Sequence, residues 1–213
     1  MIKKNLKTII LTSIITLLPI IAGLILWDKL PDRMAIHWGL EGKPDGWCSK
    51  PFGVFGLPLI MMAMQVICSV VEYTVSKNAE QNKKFLDIVL WAIPVISIIA
   101  NAYIYMNALG YKTFEIQRTI PLMLGFFFVI LGNYLPKITQ NRTLGIKIKW
   151  TLSNEENWFA THRFGGKVWV IAGLLLIISV LLPTSVIPIV QICVILLSVV
   201  IPIVYSYLYS KRH

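Results

Sequence analysis

From Val168 to Ser210 the chain reads VWVIAGLLLIISVLLPTSVIPIVQICVILLSVVIPIVYSYLYS, a run of 43 residues without a charged side chain. Wound into one helix at about 1.5 Å per residue it would reach about 65 Å, twice the roughly 30 Å of a bilayer's hydrocarbon core. The run therefore holds two crossings, and Pro183-Thr184-Ser185 supplies the turn between them. The half before the turn is short, so its helix begins earlier, with Lys167 snorkelling to the headgroups. Four further uncharged runs precede it: Thr8 to Trp27, Pro51 to Val71, Ile88 to Tyr111 and Thr119 to Pro136. The expectation is an all-α membrane protein, one polytopic domain over residues 1–213, with six transmembrane helices at about 8–27, 51–71, 88–110, 119–136, 166–182 and 186–208.

Composition agrees. Of 213 residues 56% are hydrophobic and 14% charged, against about 45–50% and about 25% in soluble globular chains. A disordered chain, a soluble domain and a secreted disulfide scaffold are excluded, and Cys68 and Cys193 lie inside apolar runs, leaving Cys48 alone in a loop. The net charge of +10 would point to nucleic acid in a soluble protein. Here the bases occupy short loops and tails, so membrane orientation and anionic lipid explain them without a polynucleotide partner. Fourteen Lys and Arg fall on the side that holds both termini and six on the other, which predicts a multi-pass protein of the cell membrane with both termini cytoplasmic. The first run, 20 residues followed by Trp27-Asp28-Lys29-Leu30, exceeds a signal-peptide core and lacks a small-residue cleavage site, so an uncleaved anchor is expected.

Pro19, Pro58, Pro94, Pro188 and Pro202 fall inside the runs. In lipid a neighbouring helix can satisfy the carbonyl that each proline frees, so kinks are the plain reading and a broken-helix transport site the sharper alternative. Gln65, Asn101, Asn133 and Gln191 read as interhelical hydrogen-bonding groups. Glu72 and Asp87 flank their runs, and no charged side chain sits mid-run, which argues against a proton-coupled pump.

Two loops carry pattern. The first, Leu30 to Trp47, reads LPDRMAIHWGLEGKPDGW. Met34, Ile36 and Trp38 alternate with Ala35, His37 and Gly39 as a half-buried strand would, and Pro44-Asp45-Gly46 has the residues of a turn, so a small outer hairpin is expected. Trp27, Trp38 and Trp47 suit either an aromatic belt or ligand contact. In the long fourth loop Ser153 with Glu156 three residues later is a capping box. A helix is predicted to start there, to bring Trp158 and His162 onto one face, and to lie at the cytoplasmic interface before hinging at Gly165-Gly166 onto the fifth span.

Together the loops reach a family. The order Asn141, Gly145-Ile146, Trp150-Thr151-Leu152-Ser153, Trp158, Thr161-His162-Arg163, Gly166 resembles the SdpI-like membrane immunity proteins of Gram-positive bacteria. Leu30-Pro31, His37-Trp38, Gly42 and Pro44-Asp45-Gly46 look like the domain of unknown function that often precedes that motif. In one place the chain departs: the family usually has Arg-Thr-Pro where this chain has Lys147-Ile148-Lys149, and Lys does not reproduce a bidentate Arg contact. The resemblance implies self-protection against a secreted peptide toxin and, as in the family's best-known member, capture of an ArsR-type repressor at the membrane. It also implies candidate binding residues. On the toxin side these are Pro31, His37, Trp38, Gly42, Asp45 and Gly46; on the cytosolic side, Asn141, Gly145, Lys147, Trp150, Thr151, Ser153, Trp158, His162 and Arg163.

Three function classes follow. A binding and signalling membrane protein uses both loops. A transporter or exporter of a toxic peptide or small molecule rests on the prolines and the membrane amides. A hydrolase would need His37 or His162 with Glu155 or Glu156, but the predicted topology puts the two histidines on opposite faces, where they cannot share a metal. No H-E-x-x-H, G-x-S-x-G, P-loop or Rossmann string occurs, so no catalytic residue, metal or cofactor is expected.

Overall fold

The structure is a computed structural model that describes residues 2–75, 83–111 and 115–212, without the side chains of 2–5 and 72–75. The side chains of Lys3, Lys4 and Glu72, and all of Lys77 and Lys112, which entered the charge and span assignments, lie outside that set. In order come α1 (Ile2–Ile25), strands β1 (Arg33–Trp38) and β2 (Pro44–Ser49), α2 (Leu57–Val75), α3 (Lys83–Ala108), α4 (Ile116–Tyr134), a short α5 (Lys149–Ser153), α6 (Glu155–Ser179) and α7 (Ile187–Arg212). Among the described residues six helices are long and apolar enough to cross a membrane, as the uncharged runs require. The protein is an all-α multi-pass membrane protein with a two-stranded hairpin. Two compact units make up the chain: Met1–Thr74 with Asp87–Ile116, and Val75–Leu86 with Gln117–His213.

Proline governs local structure in both units. In α3, Pro94 has no N–H to give the Leu90 carbonyl one turn earlier. Gln65 Nε2, from α2, donates to that carbonyl at 3.0 Å and to Thr12 Oγ1 of α1 at 2.8 Å. In α7, Pro202 likewise frees the Ser198 carbonyl, and Trp169 Nε1 of α6 donates to it at 3.2 Å. These two freed carbonyls are thus answered by a side chain of a neighbouring helix, and α1, α3, α4 and α7 run on through Pro19, Pro94, Pro121 and Pro202. Pro58 works differently. It follows a π-helical turn, Phe52–Gly56, in which the Leu57 N–H reaches the Phe52 carbonyl five residues back, a widening that leaves room for the proline ring.

Unit one is tied by a polar line along the contacts of α1, α2 and α3. Ser97 Oγ donates to the Thr16 carbonyl at 2.8 Å and the Tyr105 hydroxyl to the Pro19 carbonyl at 3.1 Å. Asn101 bonds its own helix at the Ser97 carbonyl, 2.8 Å away. The interhelical role expected of Gln65 is present, whereas Asn101 turns back on α3. That helix ends in a Schellman motif: Gly110 at φ 82° lets Tyr111 N–H reach the Met106 carbonyl at 2.9 Å and its own N–H reach Asn107 O at 3.0 Å.

In unit two, α4 and α6 pack backbone to backbone. A Cβ on Gly173 would lie 2.5 Å from the Gly125 carbonyl oxygen, and one on Gly166 2.6 Å from that of Gly132. The seven-residue spacing is the same on both helices, so the glycines pair at two levels. This corrects the expected hinge at Gly165-Gly166. Helix α6 passes through both without a break, because their missing side chains admit the neighbouring helix rather than loosen the backbone. The segment expected as a separate interfacial helix is the first part of α6.

Candidate functional site

The hairpin forms with a different turn from the one expected. Strands β1 and β2 pair antiparallel, but Pro44-Asp45-Gly46 lies inside β2 and the chain reverses at Gly39–Gly42. Gly42 takes φ 73°, its N–H donates to the Gly39 carbonyl at 2.8 Å, and Gly39 N–H closes the loop on Lys43 O at 3.0 Å. Pro44 can begin the strand because the first residue need not donate to the ladder. At the tip, Lys43 Nζ sits 2.8 Å from Glu41 Oε2, which holds the Glu41 carboxyl below and the Lys43 ammonium above their ordinary ranges.

Alternation along β1 is as read from Ile36 to Trp38 but not at Ala35, which was expected on the outer side and is buried beside Met34. Met34 is fully buried with Leu30, Val54, Ile104 and Tyr105, while His37 points to the exposed face. A bulge after Ala35 sets His37 opposite Gly46, where a Cβ would stand 2.8 Å from His37 Cβ. Asp45 Oδ1 meets His37 Nδ1 at 2.5 Å. The structure therefore brings His37, Asp45 and Gly46 together and leaves Gly42 at the tip and Pro31 at the base. Trp38 is half-buried, edge-on to Tyr103 at 4.8 Å, and Trp27 packs on Phe55 beneath the Lys50 ammonium. The exposed apolar side chains are Leu40 and Trp47. Cys48, opposite Met34, is partly covered, and burial pushes its thiol pKa up.

Most family-matching residues of the fourth loop form a buried polar knot on α6. Asn141 Oδ1 accepts the Thr143 and Leu144 backbone N–H groups at 2.8 and 2.7 Å, which curls the chain into Gly145. Gly145 takes φ 91°, and a Cβ there would collide with the His162 ring. Next to it the Ile146 N–H donates to His162 Nε2 at 2.9 Å, and His162 Nδ1 lies 2.7 Å from the Trp158 carbonyl. An acceptor at Nε2 and a carbonyl facing Nδ1 require the neutral Nδ1–H tautomer. Trp158 stacks on His162 at 3.9 Å and donates Nε1–H to the Ile138 carbonyl at 2.7 Å. Thr151 donates to the Ile146 carbonyl at 2.7 Å and accepts the Ile148 N–H at 3.1 Å.

The shared face of Trp158 and His162 is confirmed, but both are fully buried, so neither is presented as a surface anchor. The capping box is also corrected. Asn154 caps α6, its side chain accepting the Asn157 N–H at 2.9 Å, while the Ser153 hydroxyl turns back toward Trp150 O in α5. Either residue type caps well; α5 claims the serine. Lys147 reaches the Thr143 carbonyl at 2.7 Å, Trp150 lies edge-on to Tyr207 at 5.1 Å, and Arg163 is exposed.

Sequence reasoning overlooked Asn157 and Ser206 and placed Thr161 in the family string without a role. Asn157 Oδ1 accepts from Thr161 and Ser206 at 2.8 and 2.7 Å, and its Nδ2 donates to Ser206 O at 3.0 Å, joining α6 to α7. The spacing of 157 and 161 was visible in the sequence; the partner on α7 was not.

Residues 137–206 match the SdpI/YfhL protein family and residues 14–62 match a domain of unknown function, DUF1648. The chain is 29% identical over 210 residues to a protein named immunity protein SdpI from Bacillus subtilis (strain 168), a span of 99% of this chain and 97% of the relative. The resemblance drawn from the two loops is borne out. No solved structure matches the chain.

Proposed function

We propose that this chain, similar to an immunity protein along nearly its whole length, is itself a membrane immunity protein that protects the cell against a secreted peptide toxin. The observation that carries the proposal is that similarity of 29% identity over 99% of the chain. The DUF1648 segment contains the hairpin and the SdpI segment contains the knot, α5, α6 and α7 as far as residue 206. The charge distribution supports an outward hairpin and cytoplasmic termini. Its exposed His37, Asp45 and Trp47 offer a mixed polar and aromatic face to a peptide, and the role is binding rather than catalysis.

On the cytoplasmic side we propose that the knot holds a rigid platform for an ArsR-type repressor. The surface offered is Lys147, Lys149, Leu152, Ser153 and Phe159, with Trp158 and His162 fixing it from beneath. The test is survival. Cells lacking their own immunity protein, challenged by toxin producers, should survive when this chain is expressed. Asp45→Ala with Trp47→Ala should lose protection at unchanged membrane abundance. Full protection by that variant would remove the hairpin from the toxin site, and no protection by the wild type would end the immunity reading.

A further inference from the structure

One stripe of α6 changes character along its length. At about 100° per residue, Glu156, Phe159, Arg163, Lys167, Ile171, Leu174 and Ile178 follow each other up one side of the helix. All seven are exposed, and the last three are large apolar side chains at 58%, 48% and 59% exposure, the surface that meets acyl chains. Arg163 and Lys167 are four residues apart, so their side chains project from adjacent turns about 6 Å apart along the axis. Lys167 is one further turn from Ile171. From Arg163 to the helix end at Ser179 is about 24 Å, so with the Pro183 turn at one membrane boundary this pair stands at the other.

The pair is also unspent. Elsewhere at this end of unit two, Lys137 lies over the Tyr134 ring, Lys211 over Tyr207, and Lys147 bonds the Thr143 carbonyl. Among the described residues Arg163 and Lys167 have no hydrogen bond, ion pair or ring partner. The nearest acid on the stripe, Glu156, is about 10 Å away along the axis. Two cations at headgroup depth, with lipid-facing residues below and the exposed Phe159 ring one turn above, have the chemistry of a phosphate clamp. The planar guanidinium gives a bidentate grip and the ammonium a point charge.

We propose that Arg163 and Lys167 bind the phosphate of an anionic phospholipid, which seats against Ile171 and Leu174 on the face of α6. This assigns Arg163 to lipid rather than to a protein partner, and it stands or falls independently of the toxin reading because no toxin enters its test.

The full chain, purified in detergent, would be titrated with phosphatidylglycerol or phosphatidylcholine and its bound lipid counted by native mass spectrometry. Wild type should retain phosphatidylglycerol in preference. Arg163→Gln with Lys167→Gln should weaken that binding about 25-fold, at roughly fivefold per surface base, whereas Lys211→Gln with Arg212→Gln should not abolish the preference. These are exposed side chains without internal partners, so the variants should fold, as an unchanged Tm would verify. Equal retention of the two lipids by the wild type, or an undiminished preference in the α6 variant, would overturn the proposal. Displacement of phosphatidylglycerol by equimolar inorganic phosphate would overturn it too, by making the site one for free anions.

Discussion

Gly145 and Gly110 both take positive φ, 91° and 82°, yet an added methyl group meets different surroundings. At Gly110 nothing lies within 4 Å; at Gly145 the His162 ring is in the way. Gly110→Ala should therefore cost only the left-handed backbone penalty, about 1–2 kcal/mol. Gly145→Ala adds the displacement of His162 and with it the Ile146 bond, so its loss of stability should be clearly larger. Thermal unfolding in detergent compares the two directly, and equal shifts would show that the loop is not held by the histidine. The same logic separates the residues that carry the family resemblance from those free to touch a partner. Asn141, Thr151, Trp158 and His162 are buried and bond the backbone of the loop at Thr143, Ile146, Ile148 and Ile138, so they keep the loop in place. A sequence shows the order in which they come. It does not show burial, because polar residues in a basic loop look solvated until the loop folds back on its helix.

At the scale of the helix, each proline-freed carbonyl with a partner supplies a double-mutant test. Gln65→Leu should destabilise the chain by about 1–3 kcal/mol by stripping a buried carbonyl of its donor. In a Pro94→Ala background residue 94 regains its N–H, the Leu90 carbonyl is served within α3, and the cost should shrink. An equal cost in both backgrounds would mean that Gln65 acts only through Thr12. The cycle of Trp169→Phe with Pro202→Ala should behave in the same way, read by unfolding in mixed detergent. The glycine pairs make a steric prediction. Gly173→Leu places a side chain against the Gly125 carbonyl, 2.5 Å from the Cβ position, and should separate α4 from α6. A spin-label distance between those helices should lengthen, and an unchanged distance would show that the contact is dispensable. The prolines and glycines were all visible in the sequence. Which carbonyl meets which donor was not, since Gln65 and Leu90 are brought together only by the packing of two helices.

For the whole molecule, orientation is the testable quantity. With the other cysteines replaced, Leu40→Cys at the exposed hairpin tip should react with an impermeant maleimide in intact cells, and Glu156→Cys only after lysis; the reverse would invert the topology. Cys48 is a slower reporter. The thiolate is the reacting form, and burial raises its thiol above the ordinary range, so its labelling should lag that of Leu40→Cys near neutral pH and catch up as pH rises. Sequence alone determined the number of helical crossings, the existence of a hairpin after the first, and the family whose order its loops follow. Those features depend on hydrophobic length and local pattern, which a linear chain carries in full. Tertiary structure decided the rest: the turn at Gly39–Gly42, the cap at Asn154, the unbroken α6, and the burial of Trp158 and His162. Several of these were choices between local alternatives that the sequence left open. Serine and asparagine cap comparably, and a glycine pair can bend a helix or seat a neighbour. Neighbouring bonds resolved the turn and the cap, and contacts made farther along the chain resolved α6 and the burial of Trp158 and His162, because burying a polar group is favourable only where its partner has arrived.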